Sequence, residues 1–105
     1  MFNDDPKLFL GSTYSENGTV LSIPLAAFPE LTADEADAST GDIRKIIYAL
    51  LAQFNAVFAA TPEEDRPGKM TISRSAGSVN VAGVFPVTFT VAFEVSAVGV
   101  DVVEE

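Results

Sequence analysis

Carboxylates are the side chains of this sequence best placed for chemistry. Asp34, Glu35, Asp37 and Asp42 fall close together, and a hard cation such as calcium takes several such oxygens. Their spacing matches no calcium loop, and Asp42 reads better as a helix-start residue. Glu63, Glu64 and Asp65 form a second run with the makings of an acid–base pair. Behind Thr61-Pro62 they read as the capped start of a short helix. Ser73, Ser75 and Ser78 lie near Lys69 and Arg74, and a lysine can serve a serine nucleophile as base. No Gly-Xaa-Ser-Xaa-Gly turn accompanies them, and hydroxyls on a strand need no further role. Neither glycine-rich phosphate motif occurs, and Tyr48 reads as helix packing. The chain has no histidine and no cysteine. That removes the commonest general base, any thiolate metal site and any disulfide. The expectation is a chain that is no enzyme, with no cofactor, no metal site and no small-molecule substrate.

Stepping along the chain, one helix is the clearest element. Ile43, Ile46, Ile47, Leu50, Leu51, Phe54, Val57 and Phe58 recur at helical spacing on one face, which predicts a helix ending near Ala60. Ser39 or Thr40 is placed to cap it, with Asp42 in its first turn. The opposite face includes Lys45, Ala49, Ala52 and Ala56. Small residues there are either good helix formers or room for a second packed element. Lys69 to Ser75 reads as a strand, with Met70, Ile72 and Arg74 on one side. A loop follows from Ala76 to Val84. Val87, Phe89, Val91, Phe93 and Val95 then share one face of a longer strand, with a bulge or bend expected at Ala97-Val98-Gly99. Upstream, Lys7 to Leu10 and Thr19 to Ile23 read as short strands around a turn at Ser15 to Gly18, so a hairpin fits there. Thr32 and Glu35 have capping-box spacing, which predicts a turn into a short helix.

These elements predict an α+β fold: one amphipathic α-helix packed on a small antiparallel β-sheet, with an extended N-terminal arm. The 105 residues fit one domain. The arm is expected over residues 1–31, including the hairpin, and the helix-plus-sheet core over residues 32–105.

Fifteen acidic and six basic residues give a net charge of −9. Such a chain repels phosphate, so no direct nucleic-acid binding is expected. Hydrophobic residues make up 48% of the chain, and mean hydropathy is +0.27. A domain this small leaves roughly a third of its unfolded-chain surface exposed. Apolar surface left over after folding is expected to be covered by another protein chain, with self-association included. The start has no basic stretch ahead of an apolar one, so no signal peptide is expected. Ser75 to Phe93 carries no charge. Its Pro86, glycines and period-two alternation argue against a transmembrane segment, and no membrane partner is expected.

Two stretches carry a resemblance. The first is Ile23-Pro24-Leu25 through Pro29-Glu30-Leu31-Thr32, running into Ala36-Asp37-Ala38-Ser39-Thr40-Gly41-Asp42-Ile43-Arg44-Lys45. The second is Asp65-Arg66-Pro67-Gly68-Lys69-Met70-Thr71-Ile72-Ser73-Arg74-Ser75, followed by Phe89-Thr90-Val91-Ala92-Phe93-Glu94-Val95. Together they resemble small virion structural proteins of tailed phages, particularly cyanophages, over about the last three quarters of the chain. The likeness is one of pattern. The chain departs from that pattern in carrying Val79 to Phe85 where a charged or turn-rich link is usual. The resemblance implies a particle component: a capsid cement or decoration subunit, or a tail or neck ring subunit. Its partners would be the major capsid protein or other virion proteins, and its location the virion, assembled in the host cytoplasm. A cellular protein-binding adaptor is the reading from a different class.

The residues expected at the protein interface are Phe2, Leu8, Phe9, Leu10, Leu21 and Ile23 from the arm, and Val79, Val81, Val84 and Phe85 from the loop. For each of them, packing in the chain's own core is the competing reading.

Overall fold

The structure, a computed structural model, describes residues 4–96 and 102. The chain is α+β, with one main helix and two small antiparallel ladders. It divides into two compact units, one up to Arg66 and one from Pro67 onward.

The first unit begins with α1, Lys7–Leu10. A strand was expected here from the apolar Leu8-Phe9-Leu10 run, but one helical turn forms instead. Its start explains why. Asp5 Oδ1 accepts from the Lys7 N–H at 2.9 Å, and Pro6 brings the φ a helix start needs. Gly11 ends the turn at φ +97°, where a side chain would be strained. Its α-carbon also approaches Pro24 and Ala27 so closely that a Cβ would lie 2.7 Å from Pro24 Cγ.

Strands β1, Ser15–Glu16, and β2, Leu21–Ser22, form a hairpin with Ser15 opposite Ser22. Its second strand falls within the expected Thr19 to Ile23, but its first is built from Ser15 and Glu16, which were expected in the turn, and not from Lys7 to Leu10. Asn17 builds the turn: its Oδ1 accepts from the Thr19 N–H at 3.0 Å and the Val20 N–H at 2.8 Å. A single 3-10 turn, Leu25–Ala27, leads to Phe28, which is 2% exposed.

The capping box forms as its spacing predicts. The Thr32 N–H donates to Glu35 Oε1 at 2.9 Å, and the Glu35 N–H donates to Thr32 Oγ1 at 3.2 Å. It closes a turn and not a helix, because the chain bends back within a few residues. The Gly41 N–H donates to the Asp37 carbonyl and the Asp42 N–H to the Glu35 carbonyl, both at 2.9 Å.

Helix α2 spans Ile43–Ala60. Its cap is Asp42, whose Oδ1 accepts from the Arg44 N–H at 2.9 Å. The expected caps, Ser39 and Thr40, lie in the preceding turn, where their N–H groups donate to Asp37 Oδ1. At the other end, Thr61 was expected to cap the next turn. It instead donates from Oγ1 to the Val57 carbonyl at 2.6 Å and so finishes α2. Arg66 Nε donates to the Thr61 carbonyl at 2.9 Å, and its guanidinium lies 4.6 Å from the centre of the Phe58 ring. Glu63–Asp65 makes only a single 3-10 turn.

The core of this unit is aromatic. Phe9 stacks on Phe54 with centroids 5.6 Å apart, and Phe28 meets the same ring edge-on at 5.9 Å. Ala49 is 1% exposed, so the small face of α2 is a second buried contact at that position.

The second unit is a hairpin of β3, Met70–Ala76, and β4, Val87–Phe93. Met70 stands opposite Phe93, Ile72 opposite Val91 and Arg74 opposite Phe89. These pairs share one face across both strands, apolar except for Arg74. That face is only partly buried. Ile72 is buried, but Val91, Phe93 and Val95 are exposed, Phe93 at 52%. Val95 is bridged by Val102 in antiparallel fashion. The bulge expected at Ala97-Val98-Gly99, and the register of Val98 and Val100, lie outside the described residues.

Candidate functional site

The interface residues expected from the sequence fall into three groups. Leu8, Phe9 and Leu10 are half-buried on α1, which lies against α2 through the Phe9–Phe54 stack. Leu21 and Ile23 are exposed, as are their neighbours Val20 and Leu25. Phe2 lies outside the described residues.

The third group is the hairpin loop. Val79, Val81, Val84 and Phe85 are all exposed, and Val81 fully so. A loop of this composition would normally collapse on itself to shed water. Here the turn is instead organised by Asn80. Its Oδ1 accepts from the Ala82 N–H at 2.9 Å and the Val84 N–H at 3.1 Å. Its own N–H donates to the Val84 carbonyl at 2.8 Å, and the Gly83 N–H donates to the Asn80 carbonyl at 3.0 Å. Gly83 supplies the left-handed φ of +78° that closes the turn. At the loop base, the Gly77 N–H donates to the Pro86 carbonyl at 2.8 Å. The valines are thus held outward on a fixed backbone.

Besides the exposed end of the β4 face, sequence reasoning missed an exposed apolar patch on α2. Ile43 and Ile47 sit one turn apart at the start of α2, 65% and 49% exposed. Periodicity assigned them to a core face, and it carries no signal for where covering elements stop. By length and composition α2 is also apolar enough to cross a membrane, with a mean hydropathy of 1.3 over 18 residues. Of its residues only Ala49 and Phe58 are buried, and Phe54 receives two rings.

The acidic residues are occupied locally. Asp42 bonds Arg44 three times, once through the backbone N–H and twice through the guanidinium. Those bonds from Arg44 hold its carboxyl down at about 2. Glu35 lies lowered by the Thr32 N–H, with Lys45 Nζ 3.5 Å away. Asp37 is lowered by the Ser39 and Thr40 N–H groups. Glu30, Glu35, Arg44, Lys45 and Tyr48 line a wide-mouthed recess of about 350 Å³. Within it Lys45 pairs with Glu35, while Arg44 pairs with Asp42. Among the described residues no group of three or more acidic side chains converges as a metal site. Ser73 and Ser75 are exposed on β3, while Lys69 Nζ lies 3.6 Å from Glu94.

Comparison with protein-family models, curated proteins and solved structures gave no match.

Proposed function

We propose that this chain is a virion structural protein, most simply a capsid cement or decoration subunit, working by protein–protein contact and not by catalysis. The carrying observation is the exposed apolar loop of Val79, Val81, Val84 and Phe85, whose turn is tied by backbone bonds to Asn80. An exposed apolar group on a fixed backbone loses little conformational entropy when a partner covers it. The resemblance of the two quoted stretches to phage virion proteins supplies the particle context.

Magnitudes argue for many contacts. Covering one valine or phenylalanine contributes roughly 1.5–3 kcal/mol. Association itself costs about 4–15 kcal/mol. The four loop side chains alone therefore hold a complex only weakly. The patches at Val20 to Leu25 and at Ile43 and Ile47 add to them, and repetition over a lattice multiplies the effect.

The test is the hydrodynamic size of the purified chain alone and mixed with phage heads that lack it. Retention on heads, lost in a Val81→Asp, Phe85→Ser double variant, is the expected result. A chain that ignores heads, and that mass spectrometry fails to find in purified particles, overturns the reading in favour of a cellular adaptor.

A further inference from the structure

The β3–β4 register determines which backbone groups of β3 remain unpaired. Hydrogen-bonded and non-hydrogen-bonded pairs alternate along an antiparallel ladder. The Glu94 N–H donates to the Lys69 carbonyl, and the Gly77 N–H to the Pro86 carbonyl. With Met70 opposite Phe93 and Ala76 opposite Val87, those two bonds set the parity of the whole ladder. Thr71, Ser73 and Ser75 spend their backbone groups on β4. Met70, Ile72, Arg74 and Ala76 direct theirs away from it. Ser73 to Ala76 are exposed, so this outer edge is open to solvent at that end. The equivalent side of the other strand is engaged at Val95 by Val102.

Charge then selects what fits. Between Pro67 and Phe93 the only charged residues are Lys69 and Arg74, both positive, in a chain of net charge −9. Lys69 pairs with Glu94, whereas Arg74 is exposed with no acidic partner among the described residues. A second copy fits poorly. Two β3 edges paired antiparallel about Arg74 would set one arginine directly opposite the other, and like charges across strands repel.

We infer that the outer edge of β3 accepts an extended segment of a partner protein, alternating apolar residues with a carboxylate opposite Arg74. The inference rests on the assembly reading above and names its hydrogen-bonding half. Main-chain bonds from Arg74 and Ala76 give attachment, and Arg74 fixes register and sign.

The probe is the blocked peptide Val-Thr-Glu-Thr-Val-Thr-Val, titrated into the full chain by amide NMR. Expected are saturable shifts and slowed exchange at the Arg74 and Ala76 amides, with Ser73 and Ser75 unchanged. Arg74→Glu should weaken binding about fivefold and favour the same peptide with lysine in place of its glutamate. Arg74→Pro removes an outward N–H that β4 does not use, and it should abolish binding while the hairpin persists. Absence of saturable shifts, or shifts confined to β4, overturns the inference. So does self-association through β3 without peptide, which makes a second copy the occupant. If phage heads retain the Arg74→Pro chain as well as the parent, the edge proposal falls and the assembly reading stands.

Discussion

The ring of Phe9 lies 5.6 Å from that of Phe54, with the two planes 21° from parallel, and this stack fastens the N-terminal turn to the main helix. Residues expected to serve a partner thus contribute to the chain's own core. Phe9→Ala should destabilise the first unit by roughly 2 kcal/mol, below the usual range for phenylalanine truncation because Phe9 is only half-buried. Urea unfolding followed by circular dichroism measures it. An unchanged midpoint would mean that α1 does not rest on α2.

Gly41 has no room for a side chain. A Cβ there would collide with the Glu35 carbonyl and lie 2.5 Å from the Asp37 carbonyl. Both contacts are backbone, so relief requires moving the turn that presents Asp42 to α2. Gly41→Ala is expected to cost roughly 2 kcal/mol, within the usual range for overpacking. Gly18→Ala, with open space around it, is the comparison, because there only the positive φ penalises the change.

Acid should loosen the start of α2. The Asp42 carboxyl ordinarily titrates at 3.8 and is held at about 2 in the fold, first by the Arg44 side chain and then by its backbone N–H. A lowered folded value means the contribution is present above the ordinary value and fades as pH falls through the folded one. Helicity should therefore decline between about 3.8 and about 2. Asp42→Asn keeps a capping oxygen and should lose that part of the acid response. Asp42→Ala should lower the melting temperature by a few degrees at neutral pH.

Asn80 is the fastening of the hairpin loop. Asn80→Ala removes the acceptor shared by Ala82 and Val84, at a cost of about 1 kcal/mol. The more telling measurement is amide exchange, which should quicken at both positions while the β3–β4 ladder keeps its protection. Particle retention should fall in the same variant, because the valines would then have to be ordered on binding.

Much of this architecture is written in short-range patterns. The bounds of α2, the start of β4 at Val87 and the Thr32–Glu35 box follow from periodicity, proline and capping rules, all local causes. What escaped those rules depends on neighbours distant in sequence. Ile43 and Phe58 belong to one apolar stripe, yet Phe58 is buried and Ile43 is 65% exposed. Nothing in the stripe records where Phe9 and Phe28 would land. Ser39, Thr40 and Asp42 are all good caps by residue type, and the Asp37 turn places Ser39 and Thr40 ahead of the helix, so that Asp42 is the residue next to Ile43. In the hairpin, alternation showed which side chains share a face but not that the face would remain largely open.

The uneven cover along α2 gives its unravelling a direction. Beyond Ala49 the rod is clamped by aromatic rings and finished by Thr61 and Arg66, whereas its first two turns hang chiefly on one aspartate. Fraying should begin at that front end and travel backward, leaving the Arg44–Lys45 bond as the first that trypsin can cut. A particle that hid Ile43 and Ile47 would silence that weak point, so protection from the protease would report docking without any label.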